Sequence, residues 1–223
     1  MAAFPDGVVG GGDALALREL ATFLGKIGFK RFDAVYVDER HLNRERNLVL
    51  LGGMDTNQVT MDAMGLIKPN LTIFDPGPGI RMEVHDLAPE REVASDDTGA
   101  IPRRIYRAST EVDYGIIIRA RNPFNPKRAV IIVAGAYGYG TWGGIHLIQQ
   151  GLFLEECRKL DALRATTLTG RMNFMPLGLD RVMAILNGKD IDQRWSPLEC
   201  IFRVRIFDDR PLTPDIIAFR PLS

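Results

Sequence analysis

Residues 129–144 read AVIIVAGAYGYGTWGG. An unbroken apolar run of strand length leads into a glycine-rich loop, in which Gly138, Gly140 and Gly143 have the GxGxxG spacing. The pattern after the loop predicts a helix from about Gly144 to Leu163. Glycines at the start of a helix let backbone N–H groups approach a phosphate, and the helix dipole adds positive charge there. The stretch therefore predicts an α/β protein with a phosphate-binding loop.

A second unit of the same kind lies earlier in the chain, where residues 47–57 read NLVLLGGMDTN. A buried strand, Asn47–Leu51, precedes a glycine loop and a helix predicted over Gln58–Ile67, which Asp55 or Asn57 would cap. Open α/β sheets bind ligands at the carboxyl ends of their strands. If the two strands are neighbours, we expect both loops to face one crevice. The candidate ligand residues of this loop are Gly52, Gly53, Asp55 and Asn57.

The remaining pattern completes a Rossmann-like α/β fold within a single domain, residues 1–223. It predicts a helix over residues 13–27, with Asp13 as N-cap, and another over Leu179–Leu186. Two strands, Tyr114–Ala120 and Ala129–Ala134, are joined by a link too short for a helical crossover, so we expect an antiparallel hairpin. Further strands are predicted at Phe32–Val37 and, near a sheet edge, at Leu198–Asp208. The expected architecture has three layers and a mixed, mostly parallel sheet with an antiparallel edge.

Residues 68–111 form the least regular part of the sequence, with several prolines and short strand candidates at Leu71–Phe74 and Ile80–Val84. Charge is segregated here: residues 83–97 carry six acidic side chains and one basic one, a balance of −5. Residues 103–128 carry seven basic and two acidic side chains, a balance of +5. Two solvated faces that neutralise each other explain this pattern, and so does an acidic flap beside a basic rim.

Composition limits the partner classes. The 223 residues carry 28 basic and 28 acidic side chains, so no global field attracts nucleic acid or an anionic membrane. We expect neither as a partner. Two widely spaced cysteines, Cys157 and Cys200, and the lack of a signal-peptide pattern predict a reduced, cytoplasmic protein. Hydrolase motifs are absent, and the three histidines are scattered, which predicts no metal site.

Several side chains near the glycine loop are candidates for contacting a ligand. Tyr137 and Tyr139, with Trp142, would stack on a base or ribose, and Thr141 would donate to phosphate. Arg119 or Arg121 would supply positive charge. The acidic residue expected about 20 positions after a dinucleotide loop is missing, which disfavours a standard NAD site. The competing explanation is that the glycines allow close helix–sheet packing and the aromatic side chains cover the core.

Four segments carry a resemblance to a known group: Asn47–Asn57, Asp113–Arg119, Asn122–Phe124 and Ala134–Thr141. Together they resemble a pattern in bacterial Rossmann-like proteins. The arrangement is similar to the nucleotide-handling group that includes nucleoside deoxyribosyltransferase-like, TIR-like and SLOG-like domains. Members of that group sense nucleotides or cleave N-glycosidic bonds with a glutamate. The resemblance implies a nucleotide ligand, but no residue here matches that glutamate.

The sequence thus predicts a domain that binds a nucleotide or another phosphate-containing metabolite, acting as a sensor or regulatory subunit in a homo-oligomer or larger assembly. One alternative is an enzyme of the N-glycosidase or deoxyribosyltransferase type, acting on nucleosides or NAD. Its catalytic carboxylate would be Asp113, Glu155 or Glu156. Another alternative is a structural assembly protein without a small-molecule ligand, which would associate through the predicted edge strand, Leu198–Asp208.

Overall fold

A computed structural model describes residues 11–28, 44–88, 104–153, 155–157, 159 and 197–222. Its helices are α1 (Gly11–Lys26), α2 (Gln58–Ile67) and α3 (Gly138–Gln149). Its strands are β1 (Leu48–Leu51), β2 (Leu71–Phe74), β3 (Glu83–Asp86), β4 (Arg104–Arg107), β5 (Val112–Asn122), β6 (Asn125–Gly135), β7 (Leu198–Phe207), β8 (Arg210–Pro211) and β9 (Asp215–Pro221). The helix predicted over Leu179–Leu186 and the strand predicted over Phe32–Val37 lie outside the described residues.

The main sheet is mixed, with the strand order β1-β6-β5-β7, and β7 also pairs with β8 and β9. Among the pairings within the described residues, β1 with β6 is parallel and all others in this sheet are antiparallel. The prediction of a mostly parallel, Rossmann-like three-layer fold is therefore wrong. A parallel pair needs a crossover connection, whereas β5–β6 and β7–β8 are joined by tight turns that force antiparallel pairing.

The two faces of the sheet are covered differently. Side chains such as Ile117 and Val133 point to one face and pack with α1 and α3. Their neighbours Ile118 and Ile132 point to the other face and pack with α2 and with a small sheet. That small sheet, with the order β2-β3-β4, is antiparallel throughout. It stands where a Rossmann-like fold would carry more helix, which is the second reason that the predicted architecture fails.

The small sheet gives structure to the region that the sequence marks as irregular. The strand predicted at Leu71–Phe74 is confirmed as β2, while β3 begins at Glu83 rather than Ile80. Partly buried ion pairs attach this sheet to β7 and β9. Arg220 donates from Nε to the Glu199 carboxylate (2.6 Å), and its two terminal nitrogens make a bidentate contact with the Asp86 carboxylate (2.6 and 2.9 Å). Burial and these carboxylates act in opposite directions on the pKa of Arg220, and the net shift is upward.

Strand β7 is interior, which contradicts the predicted edge position of Leu198–Asp208. It pairs with β5 on one side and β9 on the other. The alternating polar residues that suggested an exposed face include Glu199, which is buried in the ion-pair network, and Arg203, which pairs with Asp215 at 3.2 Å. Glu199 shows that a polar residue in an alternating pattern can face a buried ion pair, whereas the Arg203–Asp215 pair stays partly exposed to water. Within the described part of the chain, β9 is the outer strand on this side of the sheet.

The three described helices lie where the sequence predicts helices, but two of them begin at different residues. The helix predicted over residues 13–27 is α1, but it begins at Gly11, so Asp13 lies in the first turn and is not the N-cap. Helix α2 has the predicted bounds, with Asn57 as its cap. Helix α3 begins at Gly138 rather than Gly144, so the glycine motif lies within the first turns of the helix. No helix in the described ranges is both long and apolar enough to cross a bilayer.

Candidate functional site

The two glycine loops lie side by side, as expected if their strands are neighbours. Leu51 of β1 is in register with Val133 of β6, and the Gly52 N–H donates to the Val133 carbonyl oxygen (3.0 Å). The first turn of α1 joins them, because a Cβ placed on Gly138 would lie 2.8 Å from the Gly12 Cα. The N-termini of α1, α2 and α3 therefore meet at one edge of the sheet. Three helix dipoles direct their positive ends toward this edge.

The glycines of the GxGxxG stretch are required by packing. A Cβ on Gly140 would lie 2.5 Å from both the Gly135 Cα and the Tyr114 carbonyl oxygen. A Cβ on Gly143 would lie 2.4 Å from the Val204 side chain. These contacts give direct support to the packing explanation that the sequence leaves open. They also place the backbone of Gly140 and Gly143 against the sheet, away from an approaching ligand.

Asp113 occupies the anion position of the loop. Its carboxylate accepts hydrogen bonds from the N–H groups of Tyr114 (2.8 Å), Tyr137 (3.1 Å) and Gly140 (2.6 Å). The side chain is 1% exposed. Burial raises the pKa of Asp113 to about 6, against the opposing effect of the three N–H donors. The sequence nominates Asp113 as a catalytic residue, whereas the structure places it inside the loop, bonded to N–H groups that a phosphate would otherwise use.

A second carboxylate, Asp13 in the first turn of α1, lies at the same edge. The Thr141 hydroxyl accepts from the Gly135 N–H (3.2 Å) and is hydrogen-bonded to the Asp13 side chain. Burial raises the pKa of Asp13, the Thr141 hydrogen bond lowers it, and the charge of nearby Asp55 raises it further. The net shift is upward. Sequence reasoning treated Asp13 as a helix cap only, and the run of three glycines before it was the signal of close approach.

The loop between β1 and α2 divides into a capping part and an exposed part. Asn57 accepts from the Thr60 N–H (3.1 Å) and donates to the Leu51 carbonyl oxygen (3.0 Å), so its amide is committed to local structure. Asp55 is exposed at the mouth of the loop. Gly52 has φ +92°, a left-handed conformation that favours glycine. Gly52 and Gly53 are both buried, so Asp55 is the nominated residue of this loop that remains open to a ligand.

The three aromatic residues of the second loop have different surroundings. Tyr137 is 44% exposed, and its hydroxyl oxygen accepts from the Met82 N–H of the small-sheet region (3.3 Å). Tyr139 donates its hydroxyl to the Asp209 carbonyl oxygen (2.8 Å). Trp142 is buried and donates to Glu19 (2.9 Å). Tyr137 therefore offers the most ring surface, while Trp142 belongs to the core between α1 and α3.

Other residues nominated from sequence lie away from this edge. Arg119 and Arg121 follow Gly115 on β5 by four and six residues, or about 13 and 20 Å at roughly 3.3 Å per residue. Glu155 and Glu156 lie beyond the far end of α3, a helix about 18 Å long. The described residues hold no group of three or more His, Cys, Asp or Glu side chains that would suit a metal ion.

Comparisons with protein-family models, curated proteins and solved structures yield no significant match to this chain. The resemblance to nucleotide-handling domains therefore stays a prediction from the sequence.

Proposed function

We propose that this chain binds a nucleotide, or a related metabolite that carries a phosphate, at the carboxyl ends of β1 and β6. The observation that carries the proposal is the parallel pairing of these strands, which brings two glycine loops and three helix N-termini to one place. The phosphate would lie outside the Asp113 carboxylate, on the solvent side of Gly138 and the first turn of α1. Asp55 would accept from a ribose hydroxyl, and Tyr137 would stack on the base.

The ligand set is smaller than the sequence suggested. Gly140, Thr141 and Gly143 support the loop from within, and Asn57 caps α2. Asp55 and Tyr137 are exposed and Gly138 is half-buried, whereas Gly52 is buried. Arg119 and Arg121 are too far along β5 to contact the same phosphate. We propose a regulatory or sensing role for such a domain in the cytoplasm, where two free, buried cysteines would stay reduced.

Thermal-shift measurements test the proposal with a panel of AMP, ATP, GTP, NAD and ADP-ribose. A ligand that binds only the folded state raises the melting temperature, by an amount equivalent to about 2.7 kcal/mol at 100 times its Kd. At least one member of the panel should give a shift that depends on concentration and declines at high salt. A flat response to the whole panel at millimolar concentration would leave no support for nucleotide binding.

Substitutions at Tyr137 locate the base. Tyr137→Leu removes the stacking ring and should weaken nucleotide binding by about 1–3 kcal/mol. Tyr137→Phe keeps the ring and loses only the contact with the Met82 N–H, so its affinity should stay near that of the unmodified protein. Phe124→Leu is the matched control, since Phe124 is an aromatic residue in the β5–β6 turn, at the opposite end of these strands. Equal losses in the leucine and phenylalanine variants would exclude stacking at Tyr137.

A second candidate function is N-glycosidic bond cleavage, and the pairing of Asp13 with Asp55 favours it. A carboxyl group with a raised pKa is suited to an acid or base role, and the pKa of Asp13 is raised mainly by burial and further by the charge of nearby Asp55. Release of nicotinamide from NAD, or of a base from a nucleoside, measures this activity. Asp13→Asn and Asp55→Asn should each abolish it. Turnover that persists in both variants would exclude these carboxylates.

A further inference from the structure

The anion position of the second glycine loop is filled by the chain itself. Asp113 belongs to β5, yet its two carboxylate oxygens accept from N–H groups at the start of α3, 24 and 27 residues later. The same carboxylate also accepts from the Tyr114 N–H, so three donors fix its orientation. Carboxylates and phosphates make the same charge-assisted contacts with helix N-termini. The Asp113 carboxylate therefore accepts the N–H hydrogen bonds that a ligand phosphate usually accepts in this motif.

We propose that Asp113 is a positioning residue that holds the segment Tyr137–Thr141, at the start of α3, in the conformation that binds ligand. The phosphate of the ligand binds on the solvent side of this segment and does not displace Asp113. The part of this proposal that concerns the loop rests on the three hydrogen bonds alone. The part that concerns the ligand rests on the proposed function. The two parts are tested separately below.

The surroundings of Asp113 isolate it from other charges. Its partner across the β5–β7 pair is Val204, and the flanking Arg203 and Arg205 point to the opposite face of the sheet. Glu111, two residues earlier and just before β5 begins, is exposed. On the helical side, the neighbouring titratable groups are Tyr137 and Tyr139 of the loop, and Asp13 of α1, which lies beyond Thr141. Burial raises the pKa of Asp113 and also that of Asp13, so a proton taken up near pH 6 is assigned to Asp113 only when its uptake is lost in Asp113→Asn and kept in Asp13→Asn.

Protonation should loosen the loop, because a neutral carboxyl group is a weaker acceptor and has only one oxygen that keeps its full accepting capacity. Backbone amide resonances measured across pH 4.5–8 test this without any ligand. The amides of Tyr114, Tyr137 and Gly140 should titrate together with one midpoint of about 6. Asp113→Asn should abolish the shared titration, and Glu111→Gln, which removes an exposed charge just before β5, should keep it. Independent midpoints, or a shared one that survives in Asp113→Asn, would overturn the loop assignment.

Binding of ADP-ribose tests the part that concerns the ligand, because its diphosphate has no ionisation between pH 5 and 8 to obscure the result. Calorimetry should show affinity falling below about pH 6 in the unmodified protein. At pH 7.5, Asp113→Asn should bind about tenfold more weakly, as expected for loss of a charged hydrogen-bond acceptor, and its affinity should not vary with pH. Glu111→Gln should match the unmodified protein at every pH.

Three results separate the failure of this inference from the failure of the proposed function. Tighter binding in Asp113→Asn would show that phosphate competes for the carboxylate's position, which overturns the inference while supporting a phosphate site. Unchanged binding in Asp113→Asn would remove the positioning role. Absence of ADP-ribose binding in all variants would count against the ligand part and against the proposed function. The amide titration decides the loop part in that case, and it needs only the unmodified protein if Asp113→Asn does not fold.

Discussion

Among the polar contacts of the described residues, the ion-pair network at Glu199 should contribute most to the free energy that holds the small sheet against the main sheet. Glu199 is 0% exposed, and its carboxylate accepts from the Asn70 N–H and Nδ2 (both 2.9 Å), the Leu71 N–H (3.3 Å) and Arg220 Nε (2.6 Å). Glu199→Ala would leave these donors without the carboxylate. Breaking a buried pair by removing one partner costs about 3–5 kcal/mol. For a domain of this size, 1 kcal/mol corresponds to about 2–4 °C, so the melting temperature should fall by roughly 6–20 °C.

Chemical denaturation, followed by circular dichroism, measures this loss as a free energy of unfolding. Glu111→Ala is the control, since Glu111 is exposed and its removal should change stability by less than about 0.5 kcal/mol. A double-mutant cycle with Arg220→Met isolates the pairwise term. The coupling energy between Glu199 and Arg220 should exceed the roughly 0–1 kcal/mol that surface ion pairs contribute. A Glu199→Ala variant that loses less than 1 kcal/mol, or a cycle with no coupling, would refute the inference that this network joins the two sheets.

Three further predictions concern the loop and its helices. Gly140→Ala forces a Cβ to within 2.5 Å of the Tyr114 carbonyl oxygen and should destabilise the fold by about 1–3 kcal/mol or more, measured by urea unfolding. Gly65→Ala is its counterpart in α2, where no atom lies within 4 Å of the added Cβ, and it should stabilise by about 0.5–1 kcal/mol. The pKa of Asp113 is raised from 3.8 in the unfolded chain to about 6 in the folded protein, so the folded state binds the proton more tightly. Protonated Asp113 therefore stabilises the fold. This stability is fully present below about pH 4 and is lost as the pH rises above 6. At 1.36 kcal/mol per pKa unit, the loss amounts to about 3 kcal/mol. It should be absent when the free energy of unfolding of Asp113→Asn is measured against pH.

Local patterns predicted the local structure well. The run Asn47–Leu51 and the bounds of α2 follow from an apolar stretch, a glycine loop and a capping side chain, all within twenty residues. The hairpin of β5 and β6 follows from two apolar runs and a link too short for a crossover helix. In each case the information that decides the structure is contained in neighbouring residues.

Long-range pairing was where the sequence failed. Nothing near Leu198–Phe207 shows that β9 will pair with it, or that Glu199 will find its ion-pair partner inside the protein. Alternation of polar and apolar residues has the same form whether the polar side chains face water or buried charges. The Rossmann-like prediction failed for the same reason, because the connections of β5, β6 and β7 decide that their pairs are antiparallel, while the two glycine loops alone suggest a parallel sheet.

The candidate site illustrates how a motif can be correct in place and ambiguous in purpose. GxGxxG spacing predicts that backbone N–H groups at a helix start will face an anion, and here they do. The motif does not say whether that anion is a ligand or a carboxylate of the chain. Asp113 precedes the loop by more than twenty residues, on a strand that pairs with β6 only after folding. Packing against Tyr114 and Gly135 requires glycine at position 140 in either case. The GxGxxG spacing therefore indicates that the start of α3 approaches the sheet closely. Whether a ligand or a carboxylate fills the anion position depends on the contacts that Asp113 makes.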